Sequence, residues 1–449
     1  MDGLQILGRA IAVAATCAIL APLAYAAQKR LRRPNRLIFW FVLLVYGVTF
    51  LIGATLIFVF QGALLESYFI GSSYLPANAP YWIMWGVILQ PILAVILLGY
   101  LPNVRLGPEI PSRSVRVARS SFVLTAITTL LVLGLAVLLL RGAALRLIAS
   151  GLQMQGASDL GNFYWLRQAV FQNLGLAQFG TFYGMLPALS AGLLLYVGQN
   201  QCLVRGTGLV LVGIIGLLNI ATFQMAPVLA FALILGCLWF QMPGNKAFSL
   251  KNIAIGVLLL LVFNLYQSMK GDGTAFSGLA SIAGIFLRMP VATPYLFEMH
   301  QSASGGALGS ASLPQALGYY MYPDQAGLGD FLAMPQPGYL GIWYSYGPVA
   351  SLLSLIALFM TVFLATNLIT RSRDGALGFA QIVALYSVGH LVYYAFQTTY
   401  AELLFSSYSV VFAILPALVY GLSGAVLKIF AQRRPVPAGT VQNREASVQ

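Results

Sequence analysis

The 449 residues are 59% hydrophobic and only 8% charged, with a mean hydropathy of +0.84, whereas soluble domains carry roughly 25% charged residues. Composition therefore excludes an ordinary soluble enzyme or binding module. The formal net charge of +13, which in a soluble chain would suggest nucleic acid, has first to be mapped onto loops.

In chain order, apolar runs of about 17 to 25 residues, enough to cross a hydrocarbon core, predict eleven spans at 4–26, 37–60, 81–101, 120–141, 177–198, 207–222, 226–241, 252–268, 339–366, 376–397 and 403–426. They lack the alternation of a membrane barrel, so the expected fold is all-α. The first run ends in AYA before Ala27 and has the outline of a cleavable leader. The basic cluster Lys29 to Arg36 directly after it argues against export of the adjoining residues, and the run reads as a first span. The runs 207–222 and 226–241 are short, and a hairpin that crosses only partly remains an alternative there. Cys17, Cys202 and Cys237 lie in or beside apolar runs without CxxC or metal-type spacing and read as inert.

Eighteen of the 24 Lys and Arg residues fall in 27–36, 102–119, at Arg205, Lys246, Lys251, Arg371 and Arg373, and in the tail. By the positive-inside rule these segments are cytoplasmic, which puts the N-terminus outside and the C-terminus inside. The expected organisation is one transmembrane domain over 1–432 and a polar, disordered cytoplasmic tail over 433–449. Two long outer loops remain, 142–176 and 269–338, and long polar insertions at a membrane face are usually functional or disordered. Both contain apolar-periodic patches, such as Ala280 to Leu287 and Pro294 to Met299, that suit helices at the interface.

Arg9 falls within the first span. Arg141, Arg146, Arg167, Lys270 and Arg288 lie on the outer side, against the topological bias. Arginine suits phosphate because its planar fork makes bidentate, charge-assisted hydrogen bonds; snorkelling to lipid headgroups is the alternative. In the second loop Glu298, His300, Asp324 and Asp330 are candidates for a single general base beside an anion site. A solvated loop role is the alternative for each. His390, inside the tenth span, is either functional or a buried hydrogen-bonding residue. The aromatic residues Tyr320, Trp343 and Tyr346 belong to a crowded stretch that fits either an interface belt or faces for sugar rings. No Walker A loop, dinucleotide fingerprint, HExxH or DxD-like pair is present, and His300 with Glu298 lacks metal spacing. No metal, nucleotide or other cofactor is expected.

The segment GYLGIWYSYGPVASLLSLIAL, the stretches WLRQAVFQNLGL around Arg167 and IFLRMPVATPYLFEM around Arg288, and the plan of many spans with two large outer loops resemble the Wzy-type O-antigen and exopolysaccharide repeat-unit polymerases. The arginine-to-glycine step of some members is not reproduced: Arg167 is followed by Gly175 and Gly180, and Arg288 by no glycine before Gly305. The resemblance implies a GT-C-like bundle in the bacterial inner membrane with both large loops periplasmic. It implies transfer of a growing chain from undecaprenyl pyrophosphate to the non-reducing end of a lipid-linked repeat unit. On that reading Arg167 and Arg288, with Arg146 and Lys270, hold pyrophosphate, and Tyr320, Trp343 and Tyr346 contact sugar. The implied partners are undecaprenyl-pyrophosphate-linked oligosaccharide, membrane lipid and a chain-length-regulating co-polymerase, with no nucleic acid. An O-antigen ligase-like transferase and a transporter or flippase of lipid-linked oligosaccharide are the alternatives. The second is disfavoured by the scarcity of charges inside the spans.

Overall fold

A computed structural model describes residues 3–31, 33–60, 75–76, 78–101, 186–196, 208–213, 225–240, 286–287, 289–302, 313–321, 336–370 and 379–397. Among these, all regular structure is helical. Four helical stretches are long and apolar enough to cross a membrane: Gly3–Arg30, Asn35–Phe60, Tyr81–Tyr100 and Gly338–Ile369. The chain is a helical membrane protein. The predicted spans at 120–141, 252–268 and 403–426, the first long loop and the tail lie outside the described residues.

The helices are α1 (Gly3–Arg30), α2 (Arg33–Tyr46), a π turn (Gly47–Leu51), α3 (Ile52–Phe60), α4 (Tyr81–Ile88), α5 (Gln90–Tyr100), α6 (Leu186–Tyr196), α7 (Met225–Phe240), a 3₁₀ turn (Pro290–Ala292), α8 (Thr293–Ser302), α9 (Leu313–Met321), α10 (Gly338–Thr370) and α11 (Phe379–Ala395). The core forms where α2, α5, α10 and α11 meet, with α6 and α7 against α11 and α1 on the rim beside α5. Rings of Tyr46, Phe396 and Phe359 pack at its centre, Tyr46 to Phe396 at 5.0 Å and Phe359 to Phe396 at 6.2 Å.

Two ends of this bundle differ in chemistry. At one, the reversal from α1 to α2 is tied by Arg36, whose Nε and Nη2 donate to the carbonyls of Gln28 and Leu31 at 3.1 Å each. There Arg30 lies 4.5 Å from the Tyr100 ring centroid. Lys29 and Arg30 close the last turn of α1, where cations oppose the negative end of the helix dipole. At the opposite end stand Arg9, Phe58, Tyr81 and α8.

The run predicted as one span at 339–366 is two helices. Gly347 has φ 84° and ψ −179° inside α10, a conformation that is essentially glycine's alone, and Pro348 follows as a natural first helical residue. Ser351 Oγ lies 3.0 Å from the carbonyl of Tyr339, twelve residues back. In a continuous helix those residues would be about 18 Å apart. The halves 338–346 and 348–370 are therefore folded back on each other. The second half alone, about 33 Å at 1.5 Å per residue, is long enough to cross a bilayer.

Gln90 reaches into this break from the neighbouring helix. Its Nε2 donates to the Pro348 carbonyl at 2.9 Å, and its Oε1 lies 2.6 Å from Ser351 Oγ. Gln90 itself stands where Pro91 interrupts the chain between α4 and α5. The carbonyl of Ile88 in that interruption accepts from Tyr46 Oη at 2.5 Å. Tyr46 and Tyr339 hydroxyls are 2.9 Å apart. A phenol has one proton, and Tyr46 spends its own on Ile88, so Tyr339 is the donor between the two. This relay joins both helix interruptions.

The part of the second long loop nearest its aromatic end is helical, as the apolar periodicity predicts for 294–299, and is docked on α3. A Cβ at Gly53 would collide with the Phe286 carbonyl and stand 2.9 Å from Pro290 Cγ, so only glycine admits this approach. Thr293 Oγ1 donates to Gln336 Oε1 at 3.2 Å, and Gln336 Nε2 to the Met289 carbonyl at 3.0 Å. These bonds fix the start of α8 to the start of α10.

Two outcomes are expected in thermal unfolding of detergent-solubilised protein. Gly53→Ala costs about 1–3 kcal/mol or more, the scale of overpacking, while Gly86→Ala, where a Cβ meets nothing within 4 Å, is near neutral. Tyr46→Phe removes the buried hydrogen bonds of its hydroxyl to Ile88 and Tyr339 and should cost about 2 kcal/mol, each bond being worth roughly 1 kcal/mol.

Candidate functional site

The helical pair α8 and α9 brings polar side chains together at the end of the bundle opposite the basic end of α1. Pro294 near its start and apolar residues at Tyr295, Leu296, Phe297 and Met299 bury one side of α8, leaving Glu298 half-buried and His300 exposed. Tyr320 of α9 donates from Oη to Glu298 Oε2 at 3.2 Å. Partial burial pushes the Tyr320 phenol above its usual range; the Ser302 hydroxyl draws it back, and the Glu298 carboxylate raises it again. Tyr320 thus remains a neutral donor to the carboxylate across the physiological range.

The first half of α10 walls this group. Phe297 stacks on Trp343 with centroids 3.9 Å apart, and His300 sits 4.7 Å from the Trp343 ring and 5.3 Å from that of Tyr344. Trp343 is only 5% exposed, so it anchors the wall. Tyr320 at 39% and Tyr346 at 74% exposure present open ring faces.

Arg9 belongs to this end, although its place in the sequence assigns it no role. Its Nη1 donates to the Phe58 carbonyl at 2.9 Å, one of the last carbonyls of α3, which have no partner within their own helix. Its guanidinium lies 4.9 Å from the Tyr81 ring centroid and 5.4 Å from that of Phe58. The Tyr81 hydroxyl, which donates to the Pro76 carbonyl at 3.0 Å, feels the charges of both Arg9 and Glu298. A charge in an apolar helix is thus accommodated by a helix end and two aromatic faces. The sequence signal was the charge itself, since an ionisable residue in a span calls for a partner.

Of the predicted site residues, the structure brings together Glu298, His300, Tyr320 and Trp343; Tyr346 lies just beyond, next to the break. Arg146, Arg167, Lys270, Arg288, Asp324 and Asp330 lie outside the described residues. The residues flanking Arg288 in sequence, Leu287 and Met289, are buried at 3% and 5% exposure. His390 is 2% exposed in α11, with its ring 5.9 Å from Tyr386 and 4.8 Å from Tyr394. Among the described residues no three His, Cys, Asp or Glu side chains are grouped to hold a metal ion. No family model, characterised protein or solved structure matches the chain.

Chemically, the group offers a carboxylate held by a phenol, an exposed imidazole and aromatic faces. It can accept hydrogen bonds from hydroxyls and take up a proton. Arg9→Leu should lower stability by about 1–3 kcal/mol, because the Phe58 carbonyl loses a charged donor. Arg9→Lys should fall between Leu and wild type, since it keeps the charge but not the planar fork; thermal unfolding in lipid nanodiscs measures both.

Proposed function

We propose that the chain is a repeat-unit polymerase of the Wzy type in the bacterial inner membrane, with about eleven spans in a GT-C-like arrangement. On this reading the basic ends of the helices are cytoplasmic and the α8–α9 end is periplasmic. The observation that carries the proposal is the meeting of Glu298, Tyr320 and His300 beside the Trp343 and Tyr344 wall. A base, hydroxyl-binding groups and ring faces thus meet at the end opposite the basic last turn of α1. The resemblance around Arg167 and Arg288 supports it from the sequence.

In the proposed reaction a sugar hydroxyl at the non-reducing end of a lipid-linked repeat unit attacks the anomeric carbon of the growing chain. A bond forms from that hydroxyl oxygen to the anomeric carbon. The bond from the anomeric carbon to the pyrophosphate oxygen breaks, and undecaprenyl pyrophosphate leaves with the electron pair. Glu298 takes the hydroxyl proton, and the Tyr320 hydrogen bond holds its carboxylate in position. Arginines, in the proposal Arg167 and Arg288, stabilise the charge gathering on the leaving diphosphate. Pyrophosphate is already a good leaving group, so the main demand is to hold two lipid-anchored reactants in register.

Purified protein in nanodiscs, given one defined lipid-linked repeat unit and no nucleotide, should yield a ladder of products. Glu298→Gln should reduce the rate by about 10²–10⁴-fold, the range for loss of a general base, and Arg167→Ala or Arg288→Ala should leave single units. Unchanged ladders from the variants overturn the assignment of roles. In a deletion strain, accumulation of single lipid-linked units supports the polymerase, whereas accumulation of finished polymer on lipid supports a ligase.

A further inference from the structure

Ser351 presents one hydroxyl proton to two acceptors, Gln90 Oε1 at 2.6 Å and the Tyr339 carbonyl at 3.0 Å. A hydroxyl donates one proton at a time, so the two bonds compete. The first ties the second half of α10 to α5; the second ties the two halves of α10 to each other. Both sites are buried, Ser351 at 0% and Gln90 at 7% exposure, where the outcome of such a competition carries the full weight of an unshielded hydrogen bond. The shorter contact is the one to Gln90.

We infer that Ser351 is a two-way switch for the outer half of α10, residues 338–346, with Gln90 as the competitor that loosens it. When the proton serves Tyr339, the half is clamped in its fold-back; when it serves Gln90, the half is held by Tyr46, by the Gln336 bonds and by Trp343 against Phe297. The pivot is ready for this. Gly347 sits in the glycine-only region, and a Cβ there would meet nothing within 4 Å, so side-chain packing does not lock the turn. The half carries Trp343 and Tyr344, which cover Phe297 and flank His300. Its position therefore sets access to that wall. The inference concerns the fold alone and stands whether or not the chain is a polymerase.

Hydrogen–deuterium exchange of the full chain in nanodiscs, read by mass spectrometry over 338–346, tests it, with 352–366 as the internal reference. Ser351→Ala should speed exchange in 338–346 by roughly three- to ten-fold, the effect of one buried hydrogen bond. Gln90→Met frees the Ser351 proton for Tyr339 and also removes the Nε2 bond to the Pro348 carbonyl, which ties the second half of α10 and not 338–346; it should slow exchange in 338–346 by a similar factor. Opposite signs with 352–366 unchanged establish the switch. Acceleration by both variants means Gln90 is simple glue and overturns it, as does an unchanged rate in either. If Gln90→Met does not insert, Gln90→Leu replaces it with the same expected sign, and failure of Ser351→Ala to speed exchange is decisive alone.

Discussion

In hydrocarbon a backbone carbonyl or amide that leaves a helix must be met by protein, and among the described residues the break at Gly347 is where the chain faces that constraint most sharply. Folding α10 back brings Ser351 to the Tyr339 carbonyl. That in turn brings Tyr339 to Tyr46, and so to the second interruption at Ile88. Gln90, at the second interruption, reaches both the Pro348 carbonyl and Ser351 at the first, so the two breaks are coupled. Three of the four core helices, α2, α5 and α10, are tied to one another by these few polar contacts, set within an apolar core that is not directional.

The same arrangement positions the candidate site. The fold-back places Trp343 against Phe297, and Gln336 ties the approach to α10 to Thr293 and Met289. Gly53 lets the backbone at Phe286 close onto α3. Thus α8, a helix of ten residues that would be marginal by itself, is fixed at its start, along its buried side and through its ring stack. Its polar residues Glu298 and His300 are left facing outward from a rigid seat, the condition under which a short loop helix can present chemistry reproducibly.

Much of this was legible in the sequence. The spans over α1, α2 to α3 and α4 to α5 follow from hydropathy because membrane helices satisfy their backbone locally. The grouping of Glu298 and His300 with Trp343 was half legible, since all three were singled out but nothing in the sequence paired them. Gly347–Pro348 and Gln90–Pro91 are visible breaker pairs, yet within long apolar runs the hydropathy signal overrides them. Their meaning depends on each other across 261 residues, a pairing that no local pattern carries. Arg9 was visible as a misplaced charge, but its acceptor, the Phe58 carbonyl, is a backbone atom and has no sequence signature at all.

The rim helix α1 has a different kind of consequence. Only Arg9 and Ala27 are buried in it, and a thin seam of Ile6, Val13, Leu20 and Ala24 touches the core, while Leu4, Leu7, Ile11, Ile19 and Leu23 lie open. Over most of its circumference this helix answers to its solvent, not to its neighbours. Any apolar residue of similar hydropathy serves at those open positions, so α1 can drift freely in composition provided that its two anchors and one narrow stripe are kept.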